Sequence, residues 1–332
     1  MPGVTMLDKI QLGREATAGT AVAATTVWRG EGVGEDQLVT QFPVENVGIL
    51  PGTDRSFISQ LGAIATLTQN ATFEQLLHVL EAGVKTIGTG AADGAGTDKI
   101  YDYLFATTAL PTIKTYTIEA GDNNQAEKME FGFVESFQLD GKAGEGITLT
   151  SNWRGRQWVP TTYTAALAIP TVEDMMMTKT KLYMDAVGGT MGTTQVSNSL
   201  LSMSLKVATG LKAIFTADGN KFFSFVKLTK PVISLQVVFE HDANALAEKI
   251  NWRAATPRLL RLQTTGSNLT TPGTAFSVKT VNVDLAGNWT KWGALASANG
   301  NNTVAGTFNV LYDPTAAFYA DIKVVNQLAA VP

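Results

Sequence analysis

Over much of this chain, apolar and polar residues alternate with a period of two. Leu201, Met203, Leu205 and Val207 alternate with Ser202, Ser204 and Lys206. Ile233, Leu235, Val237 and Phe239 alternate with Ser234, Gln236 and Glu240, and Val281, Val283 and Leu285 with Asn282 and Asp284. Phe308, Val310 and Tyr312 form a further set. Each pattern predicts a strand with one dry and one polar face, as antiparallel sandwich or barrel sheets require. The order of elements also repeats. Ile58-Ser59-Gln60-Leu61 begins an apolar run that leads into a helix pattern over 73–83. Ile233-Ser234-Leu235-Gln236 begins another, leading into a helix pattern over 246–252. Strand-like segments rich in Thr, Val, Phe and Trp come after each helix. One all-β unit with a single helix therefore occurs twice, with little residue identity between the copies. Such repetition points towards a structural assembly before an enzyme.

The first helix has Thr72 as N-cap, Gln75 to complete a capping box, Phe73, Leu76, Leu77 and Leu80 at helical spacing, and Gly83 at C′. The second can be capped by Asp242 or Asn244, carries Leu246 and Ile250, and is stopped by Pro257. Two stretches read as loops: the Gly/Ala-rich residues 88–98, expected to be mobile, and the longer residues 30–55, which hold Glu31, Glu35, Asp36, Phe42, Glu45 and Asp54. A loop of that length in a compact domain is usually functional or disordered. Pro160, Pro170 and the run Glu173-Asp174-Met175-Met176-Met177 mark a boundary: residues 1–165 form the first unit, 166–180 a linker, and 181–332 the second. In the segment 128–140, Phe131, Phe133, Phe137 and Leu139 share one face with Glu135. That glutamate is either buried with a partner or displaced by a bulge.

Composition narrows the function classes. Charged residues make up 16% of 332, and net charge is −4, so the basic footprint of a nucleic-acid-binding surface is missing. A chain so poor in charge often covers part of its surface with partners. The absence of cysteine excludes disulfides, thiolate metal sites and a cysteine nucleophile. No leader pattern opens the sequence and no apolar run reaches the ~20 residues of a membrane span, so synthesis and folding in the cytosol, with no membrane insertion, are expected.

Catalytic chemistry finds little support. His78 lies inside the first helix pattern and reads as a buried or flanking helix residue. Glu240-His241-Asp242 sits at a strand-to-helix junction, where the aspartate reads as a cap and a metal shell has too few ligands. Gly88-Thr89-Gly90 lacks the spacing of a phosphate loop, and no Gly-x-Ser-x-Gly elbow is present. The six tryptophans, Trp28, Trp153, Trp158, Trp252, Trp289 and Trp292, read first as core and interface packing and second as a sugar-stacking platform. The expectation is a protein with no enzymatic activity, catalytic residue, metal or cofactor.

Several stretches resemble a known family. Residues 9–26 (KIQLGREATAGTAVAATT) are similar to the opening of major tail tube proteins of long, flexible-tailed bacteriophages. So are residues 211–241 (LKAIFTADGNKFFSFVKLTKPVISLQVVFEH), Ala247-Glu248-Lys249-Ile250-Asn251-Trp252-Arg253 and Thr256-Pro257-Arg258-Leu259-Leu260. The resemblance spans most of the chain and rests on the ensemble, since none of its motifs is catalytic. It implies a mainly β, tail-tube-type antiparallel β-sandwich or barrel with a flanking helix, here duplicated in tandem, whose inner sheet joins its neighbours' in a ring. Two units per chain imply a trimeric ring with pseudo-sixfold symmetry; the hexamer is the alternative. Rings would stack head to tail into the tail tube of a virion, made in the host cytoplasm. Implied partners are the chain itself, a tape-measure protein, a tail terminator and a tail-tip complex, with DNA passing through unbound. On this reading Glu130, Asp140, Asn282 and Asp284 are candidates for the lumen, or alternatively for an outer solvated face. Glu31, Glu35, Asp36, Phe42, Glu45 and Asp54 are candidates for contacts between rings. A second function class is a glycan-binding β-sandwich module of a virion or cell surface.

Overall fold

The computed structural model describes residues 3–332, and the chain is mainly β: 49% of residues lie in strands against 8% in helical segments, two of which are α-helices. All strand pairings are antiparallel. Their order reflects the duplication. In the first unit, one sheet runs Thr26–Val27, Lys9–Arg14, Tyr116–Gly121, the first half of Ala126–Lys142, and Trp158–Thr161. The other runs Glu31–Gln41, Phe57–Asn70, Thr148–Gly155, and the second half of Ala126–Lys142. The second unit repeats this strand for strand. Gln195–Val196, Thr180–Ala186, Arg258–Asn268, the first half of Val278–Trp292 and Ala320–Asn326 form one sheet. Leu200–Ala208, Val232–Glu240, Asn301–Val310 and the second half of Val278–Trp292 form the other. Helices Leu76–Gly83 and Ala243–Arg253 come after equivalent strands.

The units meet edge to edge. Residues 136–142 pair with 202–208, with Leu139 opposite Leu205, so the two second-named sheets fuse into one continuous joined sheet. Its dry face carries Leu67, Phe137, Leu149, Leu205, Leu235 and Phe308, all buried against the flanking sheets. Burying alternate residues fixes register, because a slip of one residue would turn every one of these side chains towards water.

One long strand per unit crosses from flanking to joined sheet, and each is irregular at the crossing. Pairing of Ala126–Lys142 shifts at Val134/Ser136, and that of Val278–Trp292 at Trp289/Lys291. Such bulges bend a strand around a sandwich corner. Phe131, just before the first bulge, has φ 58°, a strained value for a bulky residue. It is held there because its N–H donates to Glu15 Oε1 at 2.8 Å while the Arg156 guanidinium covers its ring. The bulge also corrects the face assignment. Phe137 and Leu139 lie in the main core, whereas Phe131 and Phe133 turn to a separate cluster with Leu211 and Phe223. Glu135 is both at the bulge and paired, accepting from Arg154 Nε at 2.7 Å.

The first helix is entirely buried. Thr72 Oγ1 accepts the Gln75 N–H at 3.1 Å, but the Gln75 side chain turns to the backbone of Val27 and Arg29, so only half of the expected capping box forms. Gly83 is the last helical residue and not a left-handed C′. Its lack of a side chain matters for packing, since a Cβ would stand 3.1 Å from Thr209 and 3.2 Å from Val134. Residues 88–98, expected to be mobile, are pinned: Asp93 accepts the N–H groups of Ala275 and Phe276, and Thr97 bonds Thr271. The next strand, Lys99–Leu104, adds to the second unit's flanking sheet beside Ala320–Asn326. The linker is likewise packed, with Met175 and Met177 buried and bridges Thr72–Asp174 and Gly146–Met176.

The largest correction concerns residues 30–55. Residues Glu31–Gln41 form an eleven-residue strand paired along its length with Phe57–Asn70, leaving only 42–56 as the connecting loop. The strand is exposed on both faces, so its sequence carries no alternation to read.

Candidate assembly interface

The joined sheet is open at both ends. Glu31–Gln41 closes one end, with Phe57–Asn70 on one side and, among the described residues, no strand on the other. At the opposite end stand the second half of Val278–Trp292 and the short Ala296–Ala298, both paired only to Asn301–Val310 along this sheet. These edges hold the same positions as the strands of the internal seam. Leu200–Ala208 is the second unit's counterpart of Glu31–Gln41, and residues 136–142 are the first unit's counterpart of the stretch beginning at Lys291. The surface at the first edge is apolar: Val33, Leu38, Phe42, Val44, Leu50 and Phe57 are all exposed. A long exposed edge strand with apolar side chains along it and in its loop is a pairing site unless something covers it.

Close fits position the edge strand. Gly34 lies against Trp158, where a Cβ would come within 2.6 Å of the ring. The Trp158 N–H donates to Asp36 Oδ1 at 2.9 Å and its ring N–H to the Ile64 carbonyl at 3.2 Å. Residues 32, 34 and 36 therefore face inward, and Glu31, Val33 and Glu35 face the other way, with the polar side of the joined sheet.

That polar side is a field of hydroxyls and amides linked across strands. Thr66 Oγ1 donates to Asn152 Oδ1 at 3.0 Å, Asn152 Nδ2 to Ser136 Oγ at 3.0 Å, and, across the seam, Gln138 Nε2 to Ser204 Oγ at 3.3 Å. Charges are few and mixed. Arg154 is paired with Glu135 and Lys142 with Glu145; Glu31, Glu35, Asp140 and Glu240 add negative charge to this side, and Lys206 and Lys291 positive charge.

The four lumen candidates are not brought together. Asp140 is on this polar side, beside Gln138. Glu130 sits at the sheet crossing near Arg156, 3.6 Å away. Asn282 and Asp284 belong to the second unit's flanking sheet and are buried there, Asn282 accepting from Gln263 and Asp284 holding Arg261 through bonds of 2.6 and 2.7 Å. Asp321, opposite Asp284 in register, is pushed up to about 7 by burial and by neighbouring Asp102. Of the six contact candidates, Glu31 and Glu35 lie on the edge strand's polar side and Asp36 is bonded to Trp158. Phe42, Glu45 and Asp54 lie in the loop, where Glu45 pairs with Arg55.

The remaining candidate chemistry resolves into packing. His78 is fully buried, its Nδ1 3.2 Å from the Tyr116 hydroxyl, and burial, with the nearby Arg14 charge second, lowers its pKa to about 3. Asp242 caps the second helix by accepting the Ala245 N–H at 2.9 Å. Five tryptophans are buried and the sixth, Trp252, is half-buried. Among the described residues no cluster of His, Asp and Glu has the geometry of a metal site, and no helix is long and apolar enough to cross a membrane. Sequence reasoning missed both sheet edges and the exposure of Leu246 and Ile250 on the second helix. A run of eleven residues with two glycines, three acids and no buried position offered no signal; the equivalence of the two units, traced strand by strand, would have exposed it.

No family model and no curated protein sequence matches this chain.

Proposed function

We propose that this protein is a structural subunit that closes its joined sheet with further copies of itself into a ring, and that stacked rings form the tail tube of a bacteriophage. The observation that carries the reading is the internal seam. The chain already joins two like units edge to edge, and it leaves free the two edges that would repeat the same junction. Each copy adds two units, so three copies make six, a trimeric ring with pseudo-sixfold symmetry. Ring closure removes both edges, which is the usual escape from uncontrolled strand pairing. A six-chain ring is the alternative.

In this arrangement the hydroxyl- and amide-rich side of the joined sheet lines the channel. Phosphate retention requires unpaired Lys and Arg in number, and two of the four cations there are tied to carboxylates. Duplex DNA would slide past such a wall. Of the four lumen candidates Asp140 belongs to the channel, joined by Glu31 and Glu35. The loop 42–56 projects from the edge hairpin and is the contact to the next ring. Tape-measure, terminator and tip proteins remain the expected further partners, in the virion tail. The glycan-binding reading has less support, since five of the six tryptophans that suggested it are buried and Trp252 is half-buried. Immunogold labelling of virions with an antibody to this chain tests the proposal: label along the whole tail is expected, and tails free of label, with the isolated monomer binding a glycan array, would overturn it.

A further inference from the structure

The two helices of the duplicated units differ in one respect that the duplication itself makes informative. Strands Phe57–Asn70 and Val232–Glu240 end two residues before Thr72 and Asp242, and each of these accepts an N–H three residues on. Counting from that shared point, Leu76 matches Leu246, His78 matches Glu248 and Leu80 matches Ile250. The middle pair behaves alike. His78 bonds the Tyr116 hydroxyl, and Glu248 accepts the Trp289 ring N–H at 2.7 Å, so each buried polar residue ties its helix to an aromatic of its own unit. The outer pairs do not. Leu76 and Leu80 are 0% exposed, whereas Leu246 is 47% and Ile250 66% exposed.

The chain around each helix differs as well. The first helix is covered by its own connection, from which Tyr103 reaches Glu81, and by the second unit, where Thr209 packs on Gly83 and Asn326 Nδ2 donates to the Phe73 carbonyl at 2.7 Å. The second helix has only residues 254–257 as a connection, and among the described residues no further unit lies beside it.

We infer that the missing cover is the first unit of the next chain, and that Leu246 and Ile250 seat in a groove on it lined by Met6, Leu7, Tyr163, Ala166, Leu167 and Ile169. This deepens the ring reading and rests on it. The placement comes from register. The first long strand carries one extra residue between Met129 and Gly132, so Met129, which pairs with Trp158, matches Leu285, which pairs with Ala320; Thr164 is then the counterpart of Asn326, the residue that holds the first helix from the second unit. Thr164 lies in this groove, an open cleft of about 590 Å³ whose rim residues Met6, Leu7 and Ile169 are themselves exposed apolar side chains. An unpartnered apolar helix face and an unpartnered apolar groove thus stand at the two positions that the internal seam brings together.

Two experiments on the full chain test this. In Leu246→Asp/Ile250→Asp both substitutions fall on exposed positions, so the monomer should keep its wild-type melting temperature and circular dichroism while assembly into rings or tubes, read by sedimentation and electron microscopy, is lost. Independently, because the chain has no cysteine, Leu167→Cys/Ile250→Cys should give disulfide-linked dimers and trimers on oxidation during assembly, with no species beyond the trimer. Wild-type tubes accompanied by normal tubes from the Asp variant and no chain-to-chain disulfide would overturn the helix contact while leaving the ring reading intact. A wild-type chain absent from any ring, in virions or alone, would remove the ring reading and this contact with it.

Discussion

Leu205 stands at the middle of the internal seam, opposite Leu139 across it and Leu235 on the other side, and is 1% exposed. Leu205→Ala removes three carbons from a site walled by strands that cannot collapse into the space. Buried Leu-to-Ala changes cost about 2–5 kcal/mol, and this rigid setting argues for about 3–4. If the seam makes the two units unfold together, the unfolding entropy of the chain is roughly 0.7 kcal/mol per kelvin, at roughly 2.1 cal/mol/K for each residue. The melting temperature should then fall by roughly 5 °C, in one calorimetric transition that moves as a whole. Ser202→Ala, on the polar side of the same strand, should move it by less than about 1 °C. Two separate transitions, with only one displaced, would refute the claim that the seam couples the units. A drop below about 1 °C would refute the burial argument. Leu205→Asp or Val237→Asp should prevent folding, since an unpaired buried charge costs several kcal/mol.

Replacing residues 43–54 by a short turn should leave the monomer's stability within about 1 °C and the rings intact, but stop stacking; tubes of normal length would exclude the loop from the contact between rings. His78 is held neutral, with its pKa about 3 against an ordinary 6.5. The unfolded chain therefore binds the extra proton between these values, and stability is full above pH 6.5 and lost as pH falls towards 3, approaching about 1.4 kcal/mol per pH unit. His78→Gln should lose less stability than wild type between pH 6.5 and 4.5 in matched thermal melts; equal losses would show that the imidazole is not the group responsible. Glu31→Lys/Glu35→Lys/Asp140→Lys should assemble normally yet slow DNA release from reconstituted phage; an unchanged rate would take these residues out of the channel.

What the sequence disclosed depended on one-sided burial. Strands such as 201–207 and 233–239 were legible because their dry faces meet a core. Segment 128–140 misled because the bulge at Val134/Ser136 exchanges faces midway, so that Phe133 and Phe137, which alternation places together, enter different clusters. Glu31–Gln41 was invisible for the opposite reason: an edge strand exposed on both faces has no periodicity until its partner is present. Leu246 and Ile250 looked like any helix's apolar stripe, and only comparison with Leu76 and Leu80 shows that they lack a cover. Glu15, which accepts from Gly19, Thr115, Thr117 and Phe131, is fixed by contacts distant in sequence and carries no local signature.

If the seam inside one chain is repeated between chains, intact tails must show it. Cryo-electron microscopy of virion tails, reconstructed without imposed symmetry, is the decisive measurement. The expected result is threefold rings in which six like units alternate in two kinds, with Glu31–Gln41 of each chain beside the stretch beginning at Lys291 of its neighbour. Rings of six chains, or threefold rings in which those two edges remain apart, would rule the repeated seam out.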